Sequence, residues 1–376
     1  MRFLHTADWQ IGMKAVHVGP VGQRVRDERL AAARRVVQAA KDAHSDFILV
    51  AGDTFEDNGV DRVLIQKVAD ILAEFDRPVY VIPGNHDPLV PGSVWEYPAW
   101  RSYGQIHVLK QAEPVEIPGG ILYPCPIREK CSARNPTAWI NTDGTQDVRV
   151  GLAHGTIEGV SHEEPDYPIP RDAVARTGLD YLALGHWHST VPYLAPDGTT
   201  VRMAYSGTHE PTKFGERDSG NALLVEIPGA GTPPTVTFVR TGGLRWSVLE
   251  ENLREPGDLV RVREKIEALE KPETTLLELR LEGLLSAEDR DELLRLQELL
   301  TARFLCGRIN VALLRPSPQD DSWLAGLPAG VVREAAARLR ELADPGYTGQ
   351  RPEGASAEVA VRALLELYAL VTGARA

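Results

Sequence analysis

Gly84-Asn85-His86-Asp87 follows the apolar run Pro78-Val79-Tyr80-Val81-Ile82, and four further polar clusters end apolar runs in the same way. Asp8-Trp9-Gln10 comes after Met1-Arg2-Phe3-Leu4, and Gly52-Asp53 after Phe47-Ile48-Leu49-Val50. His154-Gly155-Thr156 comes after Val148-Arg149-Val150-Gly151-Leu152, and Gly185-His186-Trp187-His188 after Tyr181-Leu182-Ala183-Leu184. Buried strands read as short apolar runs, and open α/β sheets gather ligands beyond the carboxyl ends of their strands. With five such ends side by side, two carboxylates, two amides and four imidazoles converge. That is the inventory of a two-metal hydrolytic site.

Asp8, Asp53, Asn85, His154, His186 and His188 form a coherent ligand set, because Mn, Fe and Zn accept mixed imidazole and oxygen donors. A carboxylate such as Asp53 can bridge two ions. Metals about 3.5–4 Å apart clamp the attacking and leaving oxygens of an in-line phosphoryl displacement. His86 is the extra group, placed to protonate the leaving oxygen or to stabilise the transition state. Side chains alternate along a strand, so His186 and His188 share a face if the strand runs through them, with Trp187 opposite. Taken singly, each cluster also reads as ordinary structure, since Gly and Asn suit turns and a lone histidine is commonly just hydrogen-bonded. Together, each behind a strand-like run, they read as one site.

Such a site needs elements to hold it. The first ~228 residues alternate β-like runs with helical segments, the pattern of a layered α/β sandwich. Residues 24–43, rich in Ala, Arg and Gln, are predicted as a helix. Residues 60–75 are predicted as a second, with Val63, Leu64, Val68, Ile71 and Leu72 at helical spacing. Pro228-Gly229-Ala230-Gly231-Thr232-Pro233-Pro234 predicts a hairpin loop between strands over 222–227 and 235–240. A first domain, 1–243, ends near Thr241-Gly242-Gly243. A β-α-β-α-β unit follows over 244–315, with strands at 246–249, 275–282 and 309–314. Its helices are predicted at 256–269 and from an N-cap at Ser286 through Phe304. After Pro316-Ser317-Pro318, the tail (316–376) carries amphipathic helices over 329–342 and 356–371. The apolar stripe of the last, including Val359, Leu364, Leu365, Leu367 and Leu370, suits either closure of the domain or a partner helix.

A chain of 376 residues suffices for two or three domains with a sizeable core, and 43% hydrophobic with 25% charged residues is ordinary for a soluble globular protein. No apolar stretch approaches the ~18 residues of a membrane span. Met1 leads directly into a strand-like run rather than a signal sequence, so a cytoplasmic location without membrane association is expected. Cys125, Cys131 and Cys306 form neither a Cys-x-x-Cys pair nor an even framework, which fits a reducing compartment. The net charge of −12 argues against a free-standing, non-specific DNA binder. It does not exclude a nuclease, because bound cations offset acidic charge locally and a partner can supply basic surface.

The order Asp8, Gly52-Asp53, Gly84-Asn85-His86-Asp87, His154 and Gly185-His186-x-His188 resembles the calcineurin-like metallophosphoesterase superfamily. Leu4-His5-Thr6-Ala7-Asp8-Trp9, with Gly52-Asp53-Thr54-Phe55 and His154-Gly155-Thr156, is similar to its SbcD-type DNA repair nuclease branch. That branch is the bacterial counterpart of the double-strand-break repair nuclease of archaea and eukaryotes. The motifs span about the first 210 residues. The resemblance implies a four-layer α/β/β/α metallophosphoesterase sandwich with a small α+β capping domain and a C-terminal helical tail. It also implies two divalent metal ions, commonly Mn, with Fe or Zn as alternatives. By position, Asp8, Asp53 and His188, with Gln10, would serve the first metal. Asp53, Asn85, His154 and His186 would serve the second, and His86 and Asp53 would be catalytic. The resemblance further implies that residues 244–315 help orient DNA, that the tail helices dock on the coiled coil of an SMC-like ATPase subunit, and that the chain is a homodimer.

The first motif departs from the family pattern. The family usually reads Asp-x-His there, whereas this chain has Asp8-Trp9-Gln10. Glutamine offers a neutral carbonyl oxygen, a weaker donor to a transition metal than imidazole. The first site is therefore expected to bind loosely, to prefer Mn over Zn, or to fill only with substrate. Glu56 stands where the archaeal and eukaryotic branch generally carries a histidine tied to exonuclease action, so cleavage polarity does not transfer. The expected activity is phosphodiester hydrolysis by a dinuclear metal-activated hydroxide, in a DNA exonuclease of DNA repair with or without endonuclease action. A phosphodiesterase or phosphatase for nucleotides or other small substrates stays open, favoured by the acidic charge. A regulatory scaffold with a weakened metal site stays open too, motivated by Gln10.

Two flanking groups have two readings each. Arg24, Arg26, Arg29, Arg34 and Arg35 share one predicted helix and could meet a phosphate backbone, but Asp27 and Glu28 among them favour an ordinary solvated face. Trp95, Tyr97, Trp100 and Tyr103 follow His86 and could stack on bases, though packing of a long loop is the simpler account.

Overall fold

The apolar runs that precede the polar clusters become central strands of two facing sheets. The computed structural model describes residues 1–159, 166–195, 197–287, 289–318 and 321–373, and the chain divides into two units, Met1–Trp246 and Ser247–Ala376. In the first unit, β1 (Arg2–Thr6), β2 (Phe47–Ala51), β3 (Val79–Ile82) and β4 (Ile106–Val108) lie parallel and adjacent in that order. The second sheet is built from β5 (Val115–Ile117), β6 (Gly120–Pro124), β7 (Val148–His154), β8 (Tyr181–Gly185), β9 (Val191–Leu194) and β10 (Val201–Tyr205). Its order is β5-β6-β7-β8-β10-β9, with the middle four strands parallel. The chain then returns to the first sheet. β11 (Asn221–Glu226) runs antiparallel to β1, and β12 (Thr235–Arg240) pairs with β11 across the expected Pro- and Gly-rich hairpin.

These strands are continuously apolar because both of their faces are covered. Phe3, Phe47, Leu49 and Tyr80 meet Leu122, Val150, Leu152 and Tyr181 between the sheets. Their neighbours Leu4, Ile48, Val50 and Val81 face the other way, toward α1 (Gly22–Asp42) and α2 (Arg62–Ala73). Beyond the second sheet, Leu182, Leu184, Met203 and Tyr205 pack with Ala173 of the short α3 (Ala173–Thr177). The result is the α/β/β/α sandwich. Each fully buried Leu, Ile, Val or Phe contributes roughly 1.5–3 kcal/mol, so a one-residue slip of a central strand would exchange two cores at once.

Local signals explain most boundaries. Asp61 caps α2, its carboxylate accepting the Val63 N–H at 2.7 Å, so the helix begins two residues later than expected. Val63 itself is exposed. It lies two residues before Ile65, about 200° around the helix from the buried stripe, and does not belong to the apolar face. Trp95 and Trp100 are buried with Phe55, and their indole N–H groups donate to Asp87 O and Val94 O. Tyr97 and Tyr103 pack against the same core, so this aromatic group packs the long loop.

In the second unit, β13 (Arg245–Leu253), β14 (Thr275–Leu285) and β15 (Cys306–Pro316) form one sheet in that order. The helices α4 (Asp258–Glu267) and α5 (Arg290–Arg303) cover it, with Leu259, Val262, Ile266, Leu296 and Leu300 packed on Leu277, Leu279 and Leu281. Ser286 accepts the Asp289 N–H at 3.1 Å just ahead of α5. The helices α6 (Val331–Ala343) and α7 (Ala357–Gly373) pair through Ala336, Leu339, Leu364 and Leu367. Among the described residues no helix is long and apolar enough to cross a membrane, and the three cysteines are free.

A histidine in β1 gives this architecture an acid limit. His5 is fully buried, and its Nδ1 and Nε2 lie 3.2 Å from Tyr181 Oη and 3.1 Å from Leu184 O. Burial lowers its pKa from 6.5 to about 3, the Leu184 carbonyl only partly opposing. Below pH 6.5 the unfolded chain takes up a proton that the folded chain refuses, so this stability is present above 6.5 and is lost as pH falls toward 3. Urea denaturation at pH 7 and pH 5 should show the wild type losing about 2 kcal/mol more than His5→Gln between the two. Equal losses in both proteins would refute this account.

Candidate metal centre

β1, β2 and β3 stand side by side in one sheet, β7 and β8 in the other, and the loops leaving their C-terminal ends meet between them. Asp8, Asp53 and His154 each offer a ligand atom, all within 4.8 Å of one another, and all three residues are buried. Asn85 Oδ1 lies 2.8 Å from His154 Nε2 and 3.2 Å from His186 Nδ1. Asp53 Oδ1 is 3.4 Å from His154 Nε2 and accepts the His86 N–H at 2.9 Å. The Asp8 carboxylate accepts the His186 N–H at 2.9 and 3.1 Å. Gln10 is buried at the edge of this group, its amide nitrogen donating to Asp53 Oδ2 at 3.2 Å.

Unusual backbone conformations bring these side chains in. Asp8, Gln10 and Asp53 have φ of 54°, 47° and 50°. Such left-handed conformations cost non-glycine residues on the order of 1–2 kcal/mol each and persist only when their surroundings hold them. Here an extension of the β1–β2 ladder does so: Asp8 N–H donates to Gly52 O, Gln10 N–H to Asp53 O and Ile11 N–H to Thr54 O, at 3.0–3.1 Å. Two glycines allow the close approach. A Cβ on Gly84 would overlap Asp53, and one on Gly185 would overlap the Ala51 carbonyl oxygen.

His186 and His188 do not share a strand face. β8 ends at Gly185, and His186 turns away with φ 107° so that its N–H can reach Asp8. The two imidazoles consequently have different settings. The His186 ring faces Asn85 and lies 5.2 Å from the His154 ring, while His188 is held by Glu216 and Thr212. Trp187, between them, is 38% exposed.

Hydrogen bonds assign most ring nitrogens. His154 Nδ1 donates to Ala51 O at 2.8 Å and His86 Nδ1 to Glu56 O at 3.0 Å, which leaves each Nε2 for the site. Burial raises the Asp8 carboxyl to about 6, with His154 and His188 opposing and Asp53 adding. Burial also disfavours the Asp53 charge, yet the His154 charge and hydrogen bond hold that carboxyl below its usual range. The same pairing, against burial of the ring, raises His154 above its ordinary value. For His188, the Glu216 hydrogen bond and the Asp8 charge overcome burial and raise the pKa. Carboxylate oxygens, an amide oxygen and imidazole nitrogens thus converge where the proton on His154 balances Asp53. That donor set fits borderline divalent metals, which would take over the balancing charge.

A supporting layer behind these groups has no counterpart among the sequence-based expectations. Arg29 is fully buried, not part of a solvated or phosphate-facing helix surface. Its guanidinium donates to Trp9 O at 3.0 Å, Glu210 O at 2.8 Å and Thr208 Oγ1 at 3.2 Å. It thereby ties the loop after β1 to the loop after β10. Burial lowers the Arg29 pKa to about 10, so it stays charged at neutral pH. The neighbouring Arg24 and Arg35 pair with Glu28, and Arg34 with Glu74. The sequence does carry a signal for this layer: Ser206-Gly207-Thr208-His209-Glu210 comes directly after the run Val201–Tyr205 and is buried throughout.

The profile described as Calcineurin-like phosphoesterase matches residues 1–190. A curated Bacillus subtilis protein, the uncharacterized metallophosphoesterase YhaO, is 24% identical over 281 residues, which cover 71% of this chain and 67% of YhaO. Among solved structures, TT1561 of Thermus thermophilus is similar over 64% of this chain and 98% of its own, at 10% identity and a TM-score of 0.41. The last likeness is too weak to bear on the site.

Arg29→Met should destabilise the protein by on the order of 3 kcal/mol in urea denaturation, because several buried acceptors lose their donor at once. A loss below about 1 kcal/mol would show that the two loops hold their places without it.

Proposed function

The chain belongs to the calcineurin-like phosphoesterase family, and from that membership together with its SbcD-like motifs we propose that it is a metal-dependent phosphodiesterase acting on DNA ends. The observation that carries the metal-dependent part is the buried meeting of Asp8, Asp53 and His154 within 4.8 Å, with Asn85 and His86 on its margin. Asp8, Asp53 and His188, with Gln10, would hold one divalent ion, and Asp53, Asn85, His154 and His186 another, Mn first among the candidates. Bound there, such ions polarise phosphoryl oxygens and neutralise charge that develops in the displacement.

The chain's own residues supply the rest. Asp53 lies between the two ligand groups and has an oxygen directed toward each, one near His154 and one near Gln10. His86 spends Nδ1–H on the Glu56 carbonyl and is only partly buried, which leaves Nε2 as its remaining polar atom. With Nε2 protonated as well, the imidazolium can donate to the leaving oxygen or hydrogen-bond the phosphoryl group, whereas the neutral Nδ1–H ring offers only a lone pair there. Asn85 and His154 are buried on the inner side of the site, where a low local dielectric strengthens each of these interactions.

DNA as substrate rests on the SbcD-like motifs, as do an SMC-like ATPase partner docked on α6 and α7 and a homodimeric state. The net charge of −12 favours a second reading, hydrolysis of nucleotides or other small phosphodiesters, because DNA binding calls for basic surface.

One assay separates them: full-length protein with Mn2+, offered linear duplex DNA, single-stranded DNA and an aryl phosphodiester. DNA cleavage is expected, and His86→Ala should lower kcat about 10²–10⁴-fold while Mn2+ binding persists. Cleavage of the aryl ester alone, unchanged by adding an SMC-like ATPase, would refute the DNA reading. No turnover with any divalent metal would leave a scaffold role.

A further inference from the structure

Glu216 has no place in the chemistry so far, yet its carboxylate is the side-chain acceptor behind His188. Its Oε1 lies 2.9 Å from His188 Nδ1, and Thr212 Oγ1 lies 3.1 Å from the same nitrogen. The Thr212 N–H donates to Glu216 Oε2 at 2.9 Å, and the Thr212 hydroxyl donates to Oε1. The Glu216 side chain is only 4% exposed. With three donors already on it, this carboxylate is committed to the protein and is not free to take up an ion itself.

The same loop also fixes the backbone at His188, since Thr208 N–H donates to His188 O at 2.9 Å. Ring and main chain are therefore held together by residues 208–216. An imidazole that gives Nδ1–H to a carboxylate keeps its Nε2 lone pair for a metal, and the negative partner makes that nitrogen a better donor. The strengthening falls on the side of the site where Gln10 is the weak ligand.

Resting on the metal-dependent reading above, we infer that Glu216 is a positioning residue that fixes the Nδ1–H tautomer of His188 and strengthens it as a ligand to the first metal, offsetting the neutral Gln10. Glu216 acts through His188 and does not touch the reacting groups. Thr212 holds the carboxylate in register from behind. His154 and His186, which would hold the second metal, are oriented without this loop, His154 by Ala51 O and His186 by Asp8 and Asn85.

The test uses full-length protein titrated with Mn2+ by calorimetry, with the count of bound ions checked by electron paramagnetic resonance. The wild type should show a tight and a weak class of site. In Glu216→Gln the weak class should fall about 10–100-fold while the tight class and the urea midpoint stay put. Adding Gln10→His to Glu216→Gln should restore the weak class, which a purely structural role would not allow. Long-range 1H–15N spectra of the metal-free protein should find His188 as the Nδ1–H tautomer in the wild type and not in Glu216→Ala. Unchanged Mn2+ titrations in both Glu216 variants would overturn the inference and leave metal-dependent hydrolysis standing. Equal weakening of both classes with a lower urea midpoint would also overturn it, as a general loss of structure. A wild type that takes up no Mn2+ would instead overturn the metal-dependent reading, and the tautomer spectra would still decide the hold of Glu216 on the ring.

Discussion

Asp8 and Asp53 bring two carboxylates together in a buried place, with ligand atoms grouped within 4.8 Å, and the rest of the N-terminal unit is arranged around that repulsion. Like charges at such range in a medium of low dielectric cannot both persist without positive partners and donors. His154 and the backbone N–H groups of His86 and His186 supply them here, each from a different strand end. Parallel strands deliver all of their C-terminal ends to one side, so two facing parallel-centred sheets can focus five chain segments on one small volume. An antiparallel arrangement of the same strands would have divided them between opposite edges.

The focusing demands rigidity, and the unit obtains it in two ways. Double-sided burial of β1, β2 and β3 removes freedom from the frame. Outside the strands, the loops adopt conformations that are locally unfavourable and are held by neighbours rather than by their own preferences. Asp8, Gln10, Asp53 and His186 are all examples, each fastened to a segment distant in sequence. Local strain and long-range hydrogen bonds are thus two sides of one design, in which no site residue keeps its position alone.

The frame was legible in the sequence because apolar runs and the polar clusters behind them leave a direct trace. A layered α/β sandwich and the hairpin at 228–234 follow from run lengths and turn residues, while the four-layer α/β/β/α order comes from the resemblance of the motifs. Other features depend on contacts that a linear pattern does not encode. The turn at His186 is set by Asp8, 178 residues away, so strand periodicity extended through 186–188 gives the wrong facing. Arg29 looks like one of five surface arginines on a charged helix, and only the acceptors on two other loops explain its burial. Ring tautomers were likewise hidden, since they are decided by carbonyls such as Ala51 and Glu56. The buried segment after β10 was readable by the same rule as the other clusters, but its lack of an Asp-x-His or Gly-Asn-His signature concealed it.

The loop after β10 also bears on the order in which the parts of the site are made. Residues 1–190 already contain every group assigned to the metals, but Thr208, Glu210, Thr212 and Glu216 lie beyond them. So does β11, which flanks β1 and completes its pairing. Synthesis proceeds from the N-terminus, so a nascent chain bears its ligands well before it bears their supports. The groups assigned to the metals are therefore synthesised before the residues that brace them from the loop after β10. In the order of synthesis the ligands thus come first, and the segment that braces His188 and accepts from Arg29 comes after them.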